Sequence, residues 1–237
     1  MLFVCFTYGP DAPLLAMASR RIRSLDPSAI IVAIDDPDHP TPVERQAPGV
    51  CYRLGSFSRA GNLNGLDCIS GMLATMAELM AEHEADHVVK FDSDLWANNL
   101  SAFLTSTDSG SYDYLATERW HFAQPAGYIY RISRRLVDRL AAEISARREA
   151  GLFPPNNPYP EDKTIYALAL QLHASAALIP YTSGASTGLT DCSPDNLAAA
   201  TAADVVHCGE PLTDGSRASR LHVLGRMATL AHHVHSL

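Results

Sequence analysis

The chain has 237 residues, 47% of them hydrophobic and 19% charged, which is enough apolar sequence for one globular domain with a buried core. Its formal net charge of -8 at pH 7 argues against binding along a nucleic-acid backbone, because an acidic surface repels phosphates. The five cysteines stand singly without a C-x-x-C pair, which argues against a disulfide framework or a structural zinc site. No apolar run reaches the roughly 18 residues of a membrane span, and the apolar start MLFVCFTYGPD lacks the basic residues of a signal peptide. We therefore expect a soluble, cytoplasmic protein.

The first hundred residues alternate apolar runs with helical patterns, which predicts an α/β fold. Asp11 is placed to cap a helix that ends before Pro27. Residues 62–84 carry apolar side chains every three or four positions, as a long amphipathic helix does. Residues 87–91 are apolar on both faces, which is typical of a strand in the middle of a parallel sheet. The strands predicted in this half are LFVCFTY, AIIVAI, GVCYRL and HVVKF.

The second half of the chain is less regular. Ser133 is placed to cap a helix that stops at Gly151, and a further helix is predicted from about Glu161 to His173. The loop GLFPPNNPYP between them is too rich in proline to be a helix or a central strand. The sequence has no internal repeat and no long linker, so we interpret residues 1–237 as a single domain. The strands predicted here are YDYLAT, GYIYRI, AALIPYT and ADVVHC.

Two aspartates separated by one residue follow the apolar run HVVKF, and the functional prediction depends on them. Residues i and i+2 of a strand share a face, so Asp92 and Asp94 can point to one spot where the strand leaves the sheet. Ligands of open α/β sheets bind at this end of the strands. Hard cations such as Mg²⁺ are commonly held by one or two carboxylates together with substrate phosphates. The alternatives are therefore a metal–diphosphate site and a pair of solvated loop acids.

The order of these elements resembles that of glycosyltransferases of the GT-A fold. The resemblance rests on Asp35-Asp36 after the second strand, SRAGNLNGLDC at the start of the long helix, and VVKFDSDLW. It is clear over residues 1–100 and looser to about residue 210. It implies an α/β fold with a Rossmann-like, mostly parallel central sheet flanked by helices. It also implies a nucleotide-sugar-binding half (1–100), an acceptor and catalytic half (101–210) and a C-terminal helical tail (211–237).

The resemblance further implies a metal-dependent, inverting glycosyltransferase that moves a sugar from a nucleotide-diphosphate sugar to an acceptor hydroxyl. Its cofactor would be Mn²⁺ or Mg²⁺, and UDP-sugars are the donors that the family favours. In the family the D-x-D motif binds the metal and the diphosphate, which corresponds here to Asp92 and Asp94. A histidine late in the chain often completes the metal shell, which corresponds here to His207, and imidazole suits Mn²⁺ better than Mg²⁺. The alternative for His207 is a purely structural role.

The resemblance also implies contacts to the nucleotide. An acid after the second strand and an Arg/Asn segment before the long helix contact the donor, and Asp92 can reach its ribose. The acids also suit a turn, because Asp before Pro favours turns, and Asn62 also suits a helix cap. The segment FSRAGNLNG departs from the commoner A-R-N-x-G form. The residues that match these positions are Asp35, Asp36, Arg59, Asn62 and Asn64.

Glu161 and Asp162 open the helix that follows the proline-rich loop. Acids in the first turn of a helix are stabilised by the helix dipole, which is the structural alternative. Inverting members of the GT-A class often carry an E-D pair at this point. The resemblance therefore implies that Asp162, or else Glu161, is the base that removes the proton of the acceptor hydroxyl. The stretch around Trp120, His121 and Gly127 is either an acceptor platform or part of the core.

Three other functions compete with glycosyl transfer. A nucleotidyltransferase has a related fold, but it opens with a Gly-rich, basic loop after the first strand, whereas FTYGPDAP has one glycine and no base. A dehalogenase-like phosphatase carries its D-x-D on the first strand, which is not its position here. A catalytically silent nucleotide- or sugar-binding protein on the same scaffold is the third alternative, and the sequence alone does not exclude it.

Overall fold

The computed structural model describes residues 1–56, 66–104, 112–118, 124–152, 161–180, 186–209 and 217–236. In these residues seven strands form a central sheet and three form a smaller one. The strands are β1 (Leu2–Thr7), β2 (Ile30–Asp35), β3 (Cys51–Leu54), β4 (His87–Phe91), β5 (Leu95–Ala97), β6 (Tyr114–Glu118), β7 (Pro125–Ser133), β8 (Ala176–Ile179), β9 (Ser186–Gly188) and β10 (Val205–His207). The helices are α1 (Ala12–Leu25), α2 (Leu66–Glu82), α3 (Ser101–Leu104), α4 (Arg134–Glu149), α5 (Glu161–Gln171), α6 (Pro194–Ala202) and α7 (Arg217–Ser236).

The central sheet has the strand order β3-β2-β1-β4-β7-β6-β8. Strands β3, β2, β1 and β4 pair in parallel, as do β6 and β8. Strand β7 is antiparallel to both of its neighbours, β4 and β6, so it alone among these seven strands runs in the opposite direction. The prediction of a mostly parallel central sheet flanked by helices is confirmed.

Helices cover both faces of the central sheet, because successive side chains of its strands point to opposite sides. Phe3 and Cys5 of β1 pack on one side with α1, α7 and the smaller sheet. Leu2 and Val4 pack on the other side with α2, α4 and α5. This two-sided burial explains why the strands read as continuous apolar runs rather than as alternating patterns.

The smaller sheet has the order β5-β10-β9 and connects the two halves of the chain. Strand β5 follows β4 after three residues, and β10 pairs antiparallel with it. Strands β5 and β9 and helix α6 were not predicted from the sequence. Each of the two strands has only three residues, and the alanine-rich sequence of α6 has little hydrophobic periodicity. This sheet places the late part of the chain beside the end of β4.

The capping predictions had different outcomes. The Ser133 side chain accepts a hydrogen bond from the Leu136 N–H, so the predicted cap of α4 is confirmed. The predicted cap by Asp11 was wrong, because Gly9–Asp11 forms a 3-10 turn and leaves Asp11 in a helical rather than an extended conformation. The Asp11 carboxylate instead forms an ion pair with Arg220 of α7.

Among the helices that the structure describes, none combines the length and the hydropathy that a bilayer-spanning segment requires.

Candidate active site

Strand pairing brings Asp94 and His207 together although they are far apart in the sequence. Asp92 and Asp94 lie in the short connection between β4 and β5, and His207 is the last residue of β10. In the antiparallel pair His207 is opposite Leu95, and the Cys208 N–H donates to the Asp94 carbonyl at 3.0 Å. The backbone of this sheet therefore fixes the approach of the histidine to the D-x-D motif.

The side chains of Asp92, Asp94 and His207 form a candidate metal centre. One ligand atom from each residue can be chosen so that all three lie within 4.8 Å of one another. The Asp94 Oδ2 atom lies 3.3 Å from the His207 Nε2 atom, and the His207 ring stacks on Tyr128 with centroids 5.0 Å apart. Two carboxylates and an imidazole form a donor set that fits Mn²⁺ or a similar divalent cation.

Asp94 and His207 each favour the charged form of the other. Burial by itself would raise the pKa of Asp94, but the neighbouring His207 outweighs it and holds that pKa below its usual value. Burial would likewise lower the pKa of His207, whereas the Asp94 carboxylate raises it above its usual value. These shifts favour an ion pair between the two side chains, and a cation bound here would compete with the proton of the histidine.

Gly209 leaves no room for a side chain beside this centre. A Cβ atom at this position would lie 2.1 Å from the Asp94 Oδ2 atom and 3.0 Å from the His207 Nε2 atom. The first distance is shorter than any real Cβ contact and the second is tight, so a side chain at residue 209 would push the Asp94 carboxylate and the His207 ring from their positions. The sequence analysis did not identify Gly209, because its importance depends on this close approach.

Lys90 is a buried cation next to the candidate metal centre. Its side chain is 2% exposed, and its Nζ atom lies 2.6 Å from the Asp92 Oδ1 atom and 2.9 Å from the Glu161 Oε1 atom. Its third partner is the Gly127 carbonyl, at 2.6 Å. The sequence analysis missed this residue, although a lysine inside the buried run HVVKF was the available signal.

Glu161 and Asp162 begin α5 on the other side of Lys90, and both are buried. Burial raises the pKa of Glu161 to about 7, against the opposing effect of Lys90. Burial also raises the pKa of Asp162, again opposed by Lys90. The Asp162 carboxylate packs against Gly127, where a Cβ atom would lie 2.9 Å from the Asp162 Cγ atom. The E-D pair and the D-x-D motif therefore lie on opposite sides of one shared cation.

Asp35 and Asp36 are both buried at the end of β2, and part of their role is structural. The two Asp35 side-chain oxygens accept from the Thr41 N–H at 3.0 Å and the Thr41 hydroxyl at 2.7 Å. The Asp36 Oδ1 atom accepts from the Asp38 N–H at 2.8 Å, as in a turn. The other predicted nucleotide contacts, Arg59, Asn62 and Asn64, lie outside the described residues, as do Trp120 and His121.

Replacement of Gly209 by alanine tests the crowding at the candidate metal centre. We expect Gly209→Ala to weaken Mn²⁺ binding at least tenfold in calorimetric titration, because the added methyl group displaces the Asp94 carboxylate and the His207 ring. Gly225→Ala on α7 is the matched control, since a Cβ atom there meets nothing within 4 Å. Equal Mn²⁺ affinities for the two variants would show that Asp94 and His207 do not bind the cation.

The structure resembles solved glycosyltransferases over almost its whole length. The galactosyltransferase LgtC, solved with donor and acceptor sugar analogues, is 15% identical with a TM-score of 0.54, over 98% of this chain and 96% of that chain. A glycosyltransferase involved in glycosylation of the major capsid of PBCV-1 is 12% identical with a TM-score of 0.58, over 96% of this chain and 98% of that chain. GlyE of Streptococcus pneumoniae TIGR4 is 10% identical with a TM-score of 0.56, over 99% of this chain and 63% of that chain.

Sequence comparison adds nothing to this result, since neither a protein-family model nor a curated protein matches the chain. Identities of 10–15% leave the shared architecture as the informative similarity. The chain therefore has the GT-A-type glycosyltransferase fold.

Proposed function

We propose that the protein is a metal-dependent glycosyltransferase that uses a nucleotide-diphosphate sugar as donor and a hydroxyl group as acceptor. The observation that carries this proposal is the convergence of Asp92, Asp94 and His207 at the carboxyl end of β4, within the GT-A fold. Residues 1–100 would bind the donor and residues 101–210 would supply the acceptor side. A UDP-sugar donor and Mn²⁺ as the cation are the specific choices that the family resemblance supports.

The three ligands would position the donor rather than react with it. Asp94 and His207 would hold the cation, and Asp92 would reach it with the oxygen that does not contact Lys90. A divalent cation at this position supplies neutralisation of the charge that develops on the leaving diphosphate. The Tyr128 ring stacks on His207, and this contact would help to orient the imidazole toward the cation.

We further propose that the E-D pair handles the proton of the acceptor. A sugar hydroxyl is a poor nucleophile until its proton is removed as the new bond forms. Glu161 contacts Lys90, whereas Asp162 packs against Gly127, so Asp162 is the first candidate for the base and Glu161 the second. A base that removes this proton while the hydroxyl attacks from the face opposite the diphosphate would produce inversion at the anomeric carbon.

The first test concerns the cation. We expect a nucleoside diphosphate to bind poorly in EDTA and much more tightly with Mn²⁺, because the diphosphate and the two aspartates repel one another without a cation. Asp94→Ala should abolish most of this difference and leave the unfolding transition in place, since Asp94 is outside the apolar core. Equal calorimetric affinities in EDTA and in Mn²⁺ would rule out a metal-bridged site. Release of the nucleotide from a donor sugar distinguishes an enzyme from a silent binding protein.

The second test concerns the nucleoside. If Asp36 accepts a hydrogen bond from the base or the ribose, Asp36→Ala should weaken nucleotide binding by about 1–3 kcal/mol, with or without Mn²⁺. Asp35→Asn should be compared with Thr41→Val, which breaks the hydroxyl contact to Asp35 but keeps its charge. If Asp35→Asn and Thr41→Val lose the same nucleotide affinity, Asp35 acts by holding the loop that contains Thr41 and not by contacting the nucleotide. Unchanged affinity in all three variants would leave both acids with a turn-forming role only.

The third test separates catalysis from binding. Asp162→Asn keeps the shape of the side chain and removes its basicity, so donor affinity should stay near wild type while turnover falls about 10²–10⁴-fold. Glu161→Gln should be measured in parallel. NMR of the product gives its anomeric configuration, which should be inverted relative to the donor. Full transfer activity in both variants, or a product with retained configuration, would contradict the assignment of the pair as the base of an inverting reaction.

A further inference from the structure

Lys90 has an unusual position for a buried lysine. It lies on the central strand β4, two residues before Asp92, and its side chain is almost wholly inaccessible to solvent. An ammonium group has three N–H donors, and three oxygens lie within 2.9 Å of the Lys90 Nζ atom, from Asp92, Gly127 and Glu161. The charge is therefore fixed by β4, β7 and α5 together, and it lies at contact distance from a proposed metal ligand.

This fixed charge acts on any cation that approaches Asp92. The Asp92 Oδ1 atom is already in contact with Lys90 at 2.6 Å, so a divalent cation must share this carboxylate with a positive charge. The Coulomb repulsion between them is twice that between two monovalent ions at the same distance, and it is weakly screened because Lys90 is buried. The contact with Lys90 also orients Asp92, which favours cation binding because less side-chain entropy is then lost. For one short side chain this entropic gain is smaller than the Coulomb repulsion.

We propose that Lys90 lowers the affinity of the Asp92–Asp94–His207 site for a free divalent cation, so that the cation binds tightly only together with a nucleoside diphosphate. Lys90 weakens the attraction of Asp92 for the cation, and the negative charge of the diphosphate compensates for this loss. Cation and donor would then enter together, and cation and nucleotide would leave together after transfer. The part that concerns the nucleotide depends on the proposed function, whereas the part that concerns the free cation does not.

The competing explanation is that Lys90 only neutralises buried acids. Glu161 is buried and in contact with Lys90, so the lysine has a structural reason to be present. For the same reason Lys90→Met alone can fail to fold, since it leaves Glu161 without its counter-charge. The double variant Lys90→Met/Glu161→Gln avoids this difficulty, because it removes one positive and one negative charge and keeps both side-chain shapes.

The experiment is a calorimetric titration of MnCl₂, without nucleotide, into wild type, Glu161→Gln and Lys90→Met/Glu161→Gln. At pH 8, above the pKa of about 7 of Glu161, the two proteins have nearly the same net charge, and we expect the double variant to bind Mn²⁺ at least tenfold more tightly than wild type. Glu161→Gln alone should bind Mn²⁺ more weakly than wild type, because the charge of Lys90 is then offset by Asp92 only. Lys163→Met is the control for the removal of a nearby positive charge that does not contact Asp92. The Mn²⁺ affinity of this variant should stay within about threefold of wild type.

A double variant that unfolds cooperatively but binds Mn²⁺ no more tightly than wild type overturns the proposal and leaves Lys90 with the structural role. An equal gain in Mn²⁺ affinity in Lys163→Met also overturns the proposal, because the gain would then come from the net charge and not from the Lys90–Asp92 contact. Repeating the titration with UDP present should show a smaller enhancement of Mn²⁺ binding in the double variant than in wild type. If UDP does not bind to any of these proteins, the proposed function fails, while the titration with Mn²⁺ alone still decides the role of Lys90.

Discussion

Four carboxylates converge at the carboxyl end of β4, and the site depends on how their mutual repulsion is offset. Two of them, Glu161 and Asp162, are buried, and isolated buried charges are costly unless they are paired. Lys90 supplies one positive charge from inside the sheet and contacts an acid on each side. The D-x-D motif and His207 lie on the more exposed side of this cluster, where a cation from solvent can supply further charge.

The direction of β7 makes this cluster possible. Because β7 is antiparallel to β4, its first residues lie beside the end of β4, where Phe91 is opposite Ile129. The Gly127 carbonyl can therefore accept from Lys90, and the Tyr128 carbonyl accepts from the Asp92 N–H at 2.9 Å. The Tyr128 ring meanwhile stacks on His207. A parallel strand at this position would present its last residues there instead, and the site would lose all three contacts.

The C-terminal helix α7 contacts the segment that carries His207 of the candidate metal centre. The buried Arg226 donates to the carbonyls of Cys208 and Thr190, each at 3.0 Å, and so holds the segments that follow β10 and β9. Val223, Met227 and Leu230 of the same helix are buried in the core on the α1 side of the central sheet. The described part of the predicted C-terminal tail (211–237) is this helix, and Arg226 connects it to Cys208, the residue after His207.

The sequence by itself determined the layered architecture and the position of the acids. Apolar runs and helical periodicity are local, so they predict the strands and the long helices. The run HVVKF also places Asp92 and Asp94 just after the end of a strand, although the two lie in the turn between β4 and β5 and not on one face of a strand. Ser133 also caps α4 as predicted, since a cap depends only on the next three residues. The predicted cap by Asp11 failed because the 3-10 turn at Gly9–Asp11 gives Asp11 a helical conformation, and its carboxylate pairs instead with Arg220 from the far end of the chain.

Only the tertiary structure decided which distant residues meet the D-x-D motif. His207 reaches Asp94 through the register of β10 against β5, and neither short strand has a pattern that could predict this pairing. Lys90 contacts Glu161 at the start of α5, and Gly209 matters only because the side chains of Asp94 and His207 occupy the space that a Cβ atom would need. Periodicity and capping act between neighbours in sequence, whereas the chemistry of this site depends on charges and close contacts between segments far apart in the chain.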